Sequence, residues 1–375
     1  MPESTGVNIP DVFFADLPSR YPGDNTLAKI RDLFDIAGFP EIVKRSAPAA
    51  IKLHFGEWGN DSYINPVFVR QVVDKVKLAG GRPFLTDSNT LYKGSRSNAV
   101  DHLITAIEHG FAYSVAGAPL IIADGLSGEH YRRVAVPGNH FKSVMVSGDI
   151  AAAPSMMVLS HFKGHEVAGF GGAIKNLAMG CAPKAGKQEQ HSARPMKVEG
   201  RCIGCGKCVE VCPRHAIDLL RGVSAIRKDE CIGCFECMTI CPEHAIDVDW
   251  TTEIPEFIER MVEYALGGVE GKAGRLGFMN FLLRITPDCD CVPWSDAPIV
   301  PDIGILASRD PVAIDAASFD LVNAIQGIPG PFLQDNLEKG ADKFRGMRPG
   351  TDAYRQISYA EKIGLGSSQY RLVRL

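Results

Sequence analysis

Eight of the eleven cysteines fall into two short runs that share one spacing. The runs contain Cys202, Cys205, Cys208 and Cys212, and then Cys231, Cys234, Cys237 and Cys241. Each reads C-x2-C-x2-C-x3-C-P, so three thiolates can wrap one metal–sulfur cluster from a single loop. Glycines between them let backbone amides approach the sulfurs. The fourth cysteine is expected to begin a helical turn that points towards the sister cluster, so the two sites should share ligands.

This spacing is typical of two [4Fe–4S] clusters, in which the fourth cysteine of each run binds the cluster of the other run. We therefore assign one cluster to Cys202, Cys205, Cys208 and Cys241, and the other to Cys231, Cys234, Cys237 and Cys212. Zinc sites do not use this spacing, and disulfides are not expected in a chain without an export signal. Residues 196–250 resemble bacterial two-cluster ferredoxins, and the resemblance implies one-electron transfer at low potential.

Outside the cysteine runs, strand and helix signals alternate along the chain. Apolar stretches of strand length end in polar loops, and helix-length patterns follow them. This alternation predicts an α/β fold, with a largely parallel sheet domain interrupted by a small α+β two-cluster ferredoxin-like domain. The predicted domains are the first part of the α/β domain at 1–195, the ferredoxin-type domain at 196–250, and the second part with a C-terminal wrap at 251–375.

Two helices of the first part are predicted from their apolar faces. The first follows Asn65-Pro66, a cap residue and a first-turn proline, and its apolar face contains Val69, Val72, Val73 and Val76. The second starts at Ser97, and its apolar face contains Val100, Leu103, Ile104 and Ile107. Both apolar faces are expected to pack against the sheet.

Composition excludes several classes of protein. The chain has 375 residues, of which 45% are hydrophobic and 22% charged, and its formal net charge is −4. This balance indicates no nucleic-acid partner, and no apolar run approaches the roughly 18 residues that span a bilayer. The first ten residues lack a basic-then-apolar signal, so a cytoplasmic protein without membrane insertion is expected.

Several candidate site residues follow strands of the predicted sheet, at the edge where ligands of open α/β sheets bind. The candidates for catalysis are His54, Asp87, His161, His165 and Lys175. A glycine-rich turn at Gly169, Gly171 and Gly172, together with Lys175, would cradle a small anionic ligand or an organic cofactor. The alternatives are a solvated connector for the polar loop after Asp87 and structural roles for buried histidines.

A third metal site is a further candidate. Cys289 and Cys291 are one residue apart, so in an extended strand their thiols would point to opposite faces, and a turn is needed to bring them together. With Asp302 they would supply donors for an additional metal. In the other interpretation, each cysteine is a small buried apolar residue.

Five segments outside the cysteine runs resemble the domain-of-unknown-function 362 family of iron–sulfur proteins. They are residues 51–57, 160–165, 169–181, 289–291 and 310–315. The resemblance spans most of the chain. It implies a cytoplasmic protein, typical of anaerobic bacteria and archaea, with a ferredoxin module set within the family domain, and it implies no reaction.

Two functions are compatible with these observations. The first is an iron–sulfur electron-transfer protein or oxidoreductase subunit, which relays single electrons from a redox partner protein through two [4Fe–4S] clusters to a ligand or metal in the α/β domain. The alternative is a non-enzymatic metal- or cofactor-binding or maturation protein, whose clusters are regulatory or structural. The first would make the chain an enzyme or part of one, and the second would not.

Overall fold

The computed structural model describes residues 9–191, 196–197, 200–231, 236–243, 245–247 and 253–375. Cys234 lies outside these residues, as do residues 195, 250 and 251, at which the predicted domain boundaries fall. Among the helices so described, none is both long enough and apolar enough to cross a membrane.

The strands alternate with helices through much of the chain. The strands are β1 (Asp11–Asp16), β2 (Pro48–Lys52), β3 (Arg82–Asp87), β4 (Leu120–Ile122), β5 (Tyr131–Ala135), β6 (Ser143–Ser147), β7 (Ser155–His161), β8 (Lys163–His165), β9 (Gly169–Gly171), β10 (Met196–Lys197), β11 (Ile217–Leu220), β12 (Val223–Ile226), β13 (Ile246–Asp247), β14 (Leu276–Leu282), β15 (Gly304–Ser308) and β16 (Arg371–Arg374).

The helices range from single turns to five turns. They are α1 (Thr26–Ile36), α2 (Phe39–Ile42), α3 (Pro66–Leu78), α4 (Ala99–Ala106), α5 (Tyr113–Ala116), α6 (Gly148–Ala152), α7 (Ala173–Cys181), α8 (Lys184–His191), α9 (Lys207–Val211), α10 (Glu236–Thr239), α11 (Glu253–Val269), α12 (Pro311–Asn323), α13 (Lys343–Met347) and α14 (Arg355–Lys362). A 3-10 turn at Pro22–Asp24 and a π-helical turn at Ile107–Phe111 complete this set.

Eight strands form one sheet in the order β16-β1-β15-β14-β7-β2-β3-β4. The run from β14 to β4 is parallel throughout, and β1 pairs with β16 in parallel. Of these eight strands, only β15 is antiparallel to both of its neighbours. The prediction of an α/β fold with a largely parallel sheet is confirmed.

Helices cover both faces of the sheet, because successive residues of each strand point into two different apolar cores. In β7, Met156 and Val158 belong to one core, and Met157 and Leu159 belong to the other. Residues of α7, α11 and α12 complete the first core, and residues of α1, α2 and α3 complete the second. The result is a three-layer α/β/α arrangement that holds the strand ends in place.

The two helices predicted from their apolar faces differ in outcome. α3 begins after Asn65 and buries the four valines of its predicted face. α4 begins after an Asn98 cap. About half of the surface of Val100 and Ile104 is exposed, and so is half of that of Ile107 in the π-helical turn that follows. The prediction for α4 is wrong because its inner face lies over a charged cluster, where His102 Nε2 is 3.9 Å from Asp87 Oδ2.

Two strands of the sheet were not predicted. β1 lies near the start of the chain, and it inserts between β15 and β16. β16 comes from the C-terminal segment, which was expected to wrap the surface. By contrast, the apolar run at Ser143–Ser147 forms a separate hairpin with β5.

The cysteine runs lie in a smaller unit between α8 and α11. Its strands pair as β10 with β13 and β11 with β12, and its helices are α9 and α10. α9 ends at Val211, so Cys212 follows the helix, and the prediction that the fourth cysteine begins a helical turn is wrong. The reason is Pro213, whose ring disfavours helical geometry in the residue before it, and Cys212 is extended with ψ 112°.

Asp315 on α12 fixes the start of α7 beside the sheet. Its carboxylate accepts hydrogen bonds from the N–H groups of Ala173 and Ile174, each at 2.8 Å, and from the Asn280 side chain at 2.7 Å. Asp315 is fully buried, and a Cβ atom at Gly172 would lie 2.4 Å from its oxygen. One carboxylate therefore joins α12, β14 and α7.

We expect Asp315→Asn to destabilise the chain at pH 7 by about 2–3 kcal/mol, because an amide keeps one acceptor oxygen and turns its own N–H groups towards a donor. Burial raises the pKa of Asp315 to about 6, so the carboxylate is mostly ionised at pH 7. Urea unfolding measures the loss. Asp320→Asn, at an exposed position of the same helix, is the control and should change stability by less than about 0.5 kcal/mol. Equal losses in both variants would contradict this role.

Candidate functional site

A cavity of about 390 Å³ lies at the carboxyl edge of the parallel strands. Segments that follow β2, β3, β7 and β14 line it. The lining includes all five residues that the sequence singled out for catalysis, His54, Asp87, His161, His165 and Lys175. The parallel sheet brings these distant parts of the chain together because its strands end at one edge.

Asp87 ends β3 and is buried between two cations. Its Oδ1 lies 3.0 Å from Lys52 Nζ, and its Oδ2 lies 3.3 Å from Arg96 Nη1. Burial acts to raise the pKa of Asp87, but Lys52 and the other cations outweigh it and hold the pKa well below its usual value. At neutral pH this carboxylate is an ionised anchor that orients Lys52 and Arg96.

Glu57 ties the loop after β2 to the polar loop after β3. Its Oε2 accepts hydrogen bonds from Arg96 Nε and from the Tyr92 hydroxyl, both at 3.2 Å. Its Oε1 accepts from the Ser95 backbone N–H at 2.5 Å and from the Ser95 hydroxyl at 2.6 Å. Arg96 also donates to the Tyr92 hydroxyl and is 1% exposed. The polar loop is therefore folded onto a buried carboxylate, and its Arg96 end is not a solvated connector.

Asp290 anchors a second charged group. Its Oδ1 accepts hydrogen bonds from His161 Nδ1 at 2.8 Å and Ser62 Oγ at 3.1 Å, and its Oδ2 accepts from Lys163 Nζ at 3.0 Å. Burial acts to raise the pKa of Asp290, but His161 and Lys163 outweigh it and hold the pKa well below its usual value. Its backbone carbonyl accepts from Glu57 N–H at 2.9 Å, which joins this group to the Glu57 loop.

Cys289 and Cys291 lie in a turn, which is the condition that the sequence set for bringing their thiols together. The Val292 N–H donates to the Cys289 carbonyl at 3.2 Å and closes the turn. Interaction with the Cys289 thiol lowers the pKa of Cys291 well below its usual value. The same interaction, with burial, raises the pKa of Cys289. His54 Nε2 lies 3.3 Å from Cys291 Sγ.

His165 belongs to a group of possible metal-binding side chains at the cavity. His165, Glu166 and Cys289 bring one ligand-type atom each to within 4.8 Å of one another. Burial lowers the pKa of His165 well below its usual value and raises the pKa of Glu166. The structure therefore groups Cys289 with a histidine and a glutamate, a set that could hold a metal.

Asp302 lies elsewhere. It is exposed, and its Oδ1 accepts a hydrogen bond from the Arg284 backbone N–H at 2.5 Å. It is not among the residues that line the cavity. The structure therefore does not bring Asp302 to the two thiols, because the hydrogen bond to Arg284 fixes it on the loop before β15.

The glycine-rich turn contributes to the cavity in part. Gly171, Gly172 and Lys175 line it, whereas Gly169 has φ +82° and packs against Ala353. The first amides of α7 are bound by Asp315, so they are not available to an anion. Lys175 has no hydrogen bond or ion pair with any described residue. Burial acts to lower its pKa, but the two sulfurs of the turn and nearby carboxylates outweigh it and raise the pKa.

Four cysteines from both runs surround a separate small cavity in the inserted unit. They are Cys202, Cys205, Cys208 and Cys241. The Ala245 N–H donates to Cys241 Sγ at 3.2 Å, and in the other run the Ala216 N–H donates to Cys212 Sγ at the same distance. Gly204 has φ +68°, and a Cβ atom there would lie 2.3 Å from the Gly222 carbonyl. Amide donors to sulfur and a close-packed glycine loop fit a cluster held by thiolates.

The inserted unit also lines the large cavity. Val211, Glu236 and Ile240 contribute to its wall, and Val211 and Ile240 directly precede Cys212 and Cys241. Glu236 accepts a hydrogen bond from the Lys93 backbone N–H at 3.1 Å, and burial raises its pKa to about 7. The segments that cover the site are therefore those that contain Cys212 and Cys241, the fourth cysteine of each run.

Several residues at the cavity were not predicted. Asp290 lies between the two cysteines of the turn, and Glu57 lies three residues after His54. Proximity in sequence to predicted site residues could therefore have indicated both. Lys187 lies on α8, and burial lowers its pKa to about 8. Glu236 belongs to a cysteine run, and nothing in the sequence indicates that this run lies over the sheet edge.

Comparison with known proteins gives a family match over most of the chain. The family described as "Domain of unknown function (DUF362)" matches residues 49–320. No curated protein matches. Among solved structures, the lactate racemase apoprotein from Thermoanaerobacterium thermosaccharolyticum is similar with a TM-score of 0.38 and 9% identity. That match covers 72% of this chain, which spans half the length of the racemase chain.

We expect Asp290→Asn to destabilise the chain by about 3–5 kcal/mol, because the change leaves the buried Lys163 ammonium without its carboxylate. Anaerobic urea unfolding followed by circular dichroism measures the effect. Asp302→Asn is the matched control on the same stretch of chain. Its amide oxygen can keep the bond from Arg284 N–H, so a loss below about 0.5 kcal/mol is expected. Similar stabilities of the two variants would show that Asp290 does not anchor the site.

Proposed function

The chain belongs to the DUF362 family, whose description assigns no activity, and we propose from its site that it is an iron–sulfur electron-transfer protein or oxidoreductase subunit acting on a ligand at the sheet edge. One observation carries the proposal. The cavity in the α/β domain is walled in part by Val211 and Ile240, which directly precede Cys212 and Cys241. Two of the proposed cluster-binding cysteines are therefore adjacent in sequence to residues that line the cavity.

The proposal assigns the first cluster to Cys202, Cys205, Cys208 and Cys241, and the second to Cys231, Cys234, Cys237 and Cys212. When bound, such clusters supply one-electron transfer at low potential. The backbone N–H groups of Ala216 and Ala245 donate equivalent hydrogen bonds to Cys212 and Cys241, the fourth cysteines of the two runs. This equivalence supports the assignment, because N–H donors to thiolate sulfur stabilise clusters of this kind.

The proposed ligand is a small anion. Lys52 and Arg96 are paired with two carboxylates, Asp87 and Glu57, and Lys163 is paired with Asp290. Lys175 has no such partner in the part of the chain that the structure describes, and it lines the cavity. A carboxylate or phosphate group would supply the hydrogen-bond acceptor that this ammonium lacks among the described residues.

Two groups would exchange protons with the ligand near neutral pH. Burial raises the pKa of Glu236 to about 7 and lowers the pKa of Lys187 to about 8. Both line the cavity. Groups whose pKa lies near the working pH are effective in general acid–base catalysis, so these two are our candidates for moving protons when the ligand is reduced or oxidised.

A second function is favoured by the donor group at His165, Glu166 and Cys289. Three such side chains suit a metal ion, and a protein that holds a metal for delivery would need no turnover. Metal analysis separates the two functions. A metal beyond the cluster iron, bound by wild type and lost in Cys289→Ser, would favour delivery.

We expect the anaerobically reconstituted chain to hold about eight iron and eight sulfide, and to give a paramagnetic signal after dithionite reduction. Cys205→Ser should lose a large part of both, because it removes a proposed ligand of the first cluster. Cys181→Ser is the control, since Cys181 is a buried cysteine outside both runs. A chain that binds two zinc ions and no sulfide would end the proposal.

We expect Lys175→Gln to weaken anion binding by roughly tenfold or more, because the charge-assisted contact is worth about 1.5–3 kcal/mol. Oxalate and inorganic phosphate are the probes, titrated calorimetrically into the reconstituted chain. Lys339→Gln, at an exposed lysine far along the chain, should leave affinity unchanged. Equal affinities of the two variants, or no binding of either anion by wild type, would contradict an anion site at Lys175.

A further inference from the structure

The turn that carries Cys289 and Cys291 is held from two directions. Within the turn, the Val292 N–H donates to the Cys289 carbonyl. From outside, the central Asp290 is bonded through its carboxylate to His161 and Lys163, and through its carbonyl to the Glu57 N–H. Both cysteines of this turn line the same cavity.

The Cys291 sulfur has an imidazole nitrogen in contact with it. His54 Nε2 lies 3.3 Å from Cys291 Sγ, and interaction with the neighbouring Cys289 thiol lowers the pKa of Cys291. The Gly56 backbone N–H donates to His54 Nδ1 at 3.0 Å, so the Nδ1 lone pair is engaged. The ring proton of His54 must therefore be on Nε2, which donates to Cys291. A sulfur that accepts a hydrogen bond from an imidazole N–H and has a second thiol nearby is in an environment that favours the thiolate.

The second histidine of the site has the same arrangement. His165 Nδ1 accepts hydrogen bonds from the Val167 and Ala168 N–H groups, at 3.1 and 3.0 Å. Its Nε2 then carries the proton. A histidine that binds a metal through one ring nitrogen usually donates a hydrogen bond through the other, and here that nitrogen is an acceptor. The histidines beside both sulfurs are thus arranged as N–H donors, which suits thiol chemistry better than metal ligation.

We propose that Cys289 and Cys291 are a redox-active pair, which interconverts between a thiol–thiolate state and a disulfide across the turn. The inference rests on the proposed function, because it gives one-electron iron–sulfur centres a two-electron group beside the ligand. Oxidation forms the Cys289–Cys291 S–S bond and breaks the Cys289 S–H bond. Two electrons would leave, one to each of the two iron–sulfur centres that the cysteine runs would hold, and the proton would go to Glu166, whose carboxylate lies within 4.8 Å of the Cys289 sulfur. Reduction reverses each of these changes.

His54 and Lys175 are positioning residues in this scheme. The His54 N–H and the Lys175 ammonium stabilise the negative sulfur of the reduced state and have no comparable interaction with a neutral disulfide. A pair whose reduced form is stabilised in this way is more oxidising. Removing the His54 donor should therefore shift the equilibrium towards the disulfide.

The experiment uses the full chain, prepared anaerobically and equilibrated in buffers of varied oxidised-to-reduced glutathione ratio. After acid quenching, alkylation in denaturant and trypsin digestion, residues 285–309 form one peptide that contains Cys289, Cys291 and no other cysteine. Its mass shows two alkyl groups for the reduced pair, and none for the disulfide. We expect one reversible transition in which the singly alkylated peptide does not accumulate.

Variants assign the transition to its residues. Cys289→Ser and Cys291→Ser should each abolish it, and the control Cys181→Ser should retain it. His54→Phe should move the midpoint by roughly tenfold in glutathione ratio towards reducing conditions, because one hydrogen bond to a charged sulfur is lost. Retention of iron and sulfide in each variant shows that it has folded.

Two results would overturn the inference. One is a peptide that stays doubly alkylated at every ratio. The other is a non-cluster metal that both serine variants lose. Iron and sulfide are measured on the same sample, which separates the two proposals. If the chain binds clusters but the peptide shows no redox transition, only the proposal of a redox pair fails. If the transition occurs in a chain that binds no clusters, the proposed electron-transfer function fails.

Discussion

The site depends on the burial of two carboxylates, Asp87 and Glu57, against a single arginine. Moving an ion out of water costs several kcal/mol, and only close, well-directed partners repay it. Arg96 contacts both carboxylates, and Lys52 contacts Asp87 from the other side. This group draws the polar loop after β3 down onto the sheet edge, so the cavity has a wall there. The apolar cores on both faces of the sheet supply the stability that such a group requires.

The inserted unit and the sheet domain form one site because of where the insertion occurs. The chain leaves the α/β domain after α8, whose residues Lys187 and His191 line the cavity, and it returns through α11. Because the insertion begins at the cavity, the inserted unit can lie over it. A hydrogen bond from the Lys93 backbone N–H to Glu236 joins the unit to the polar loop. Cluster-type cysteines and ligand-type side chains are thereby neighbours in space, although up to about two hundred residues separate them in sequence.

Sequence reasoning reached the parts of this arrangement that local rules control. The α/β alternation, the buried face of α3 and the gathering of His54, Asp87, His161, His165 and Lys175 at one sheet edge all follow from periodicity and strand direction. It failed where distant neighbours decide. α4 presents valine and isoleucine to the outside because its inner face meets charged groups, and Glu236 reaches the cavity through docking of the insert. The hydrogen bond from Arg284 that holds Asp302 apart from the thiols has no sequence signature.

The position of β1 in the sheet has a consequence for how the chain reaches its native state. β1 is the first strand among the described residues, yet it pairs with β15 and β16, whose residues are synthesised roughly three hundred residues later. During synthesis, Phe13 and Phe14 of β1 have no partner strand until β15 and β16 are made, whereas the parallel strands can pair with segments closer in sequence. Because these contacts join distant parts of the chain, we expect the pairing of β1 with β15 and β16 to be a slow step of folding.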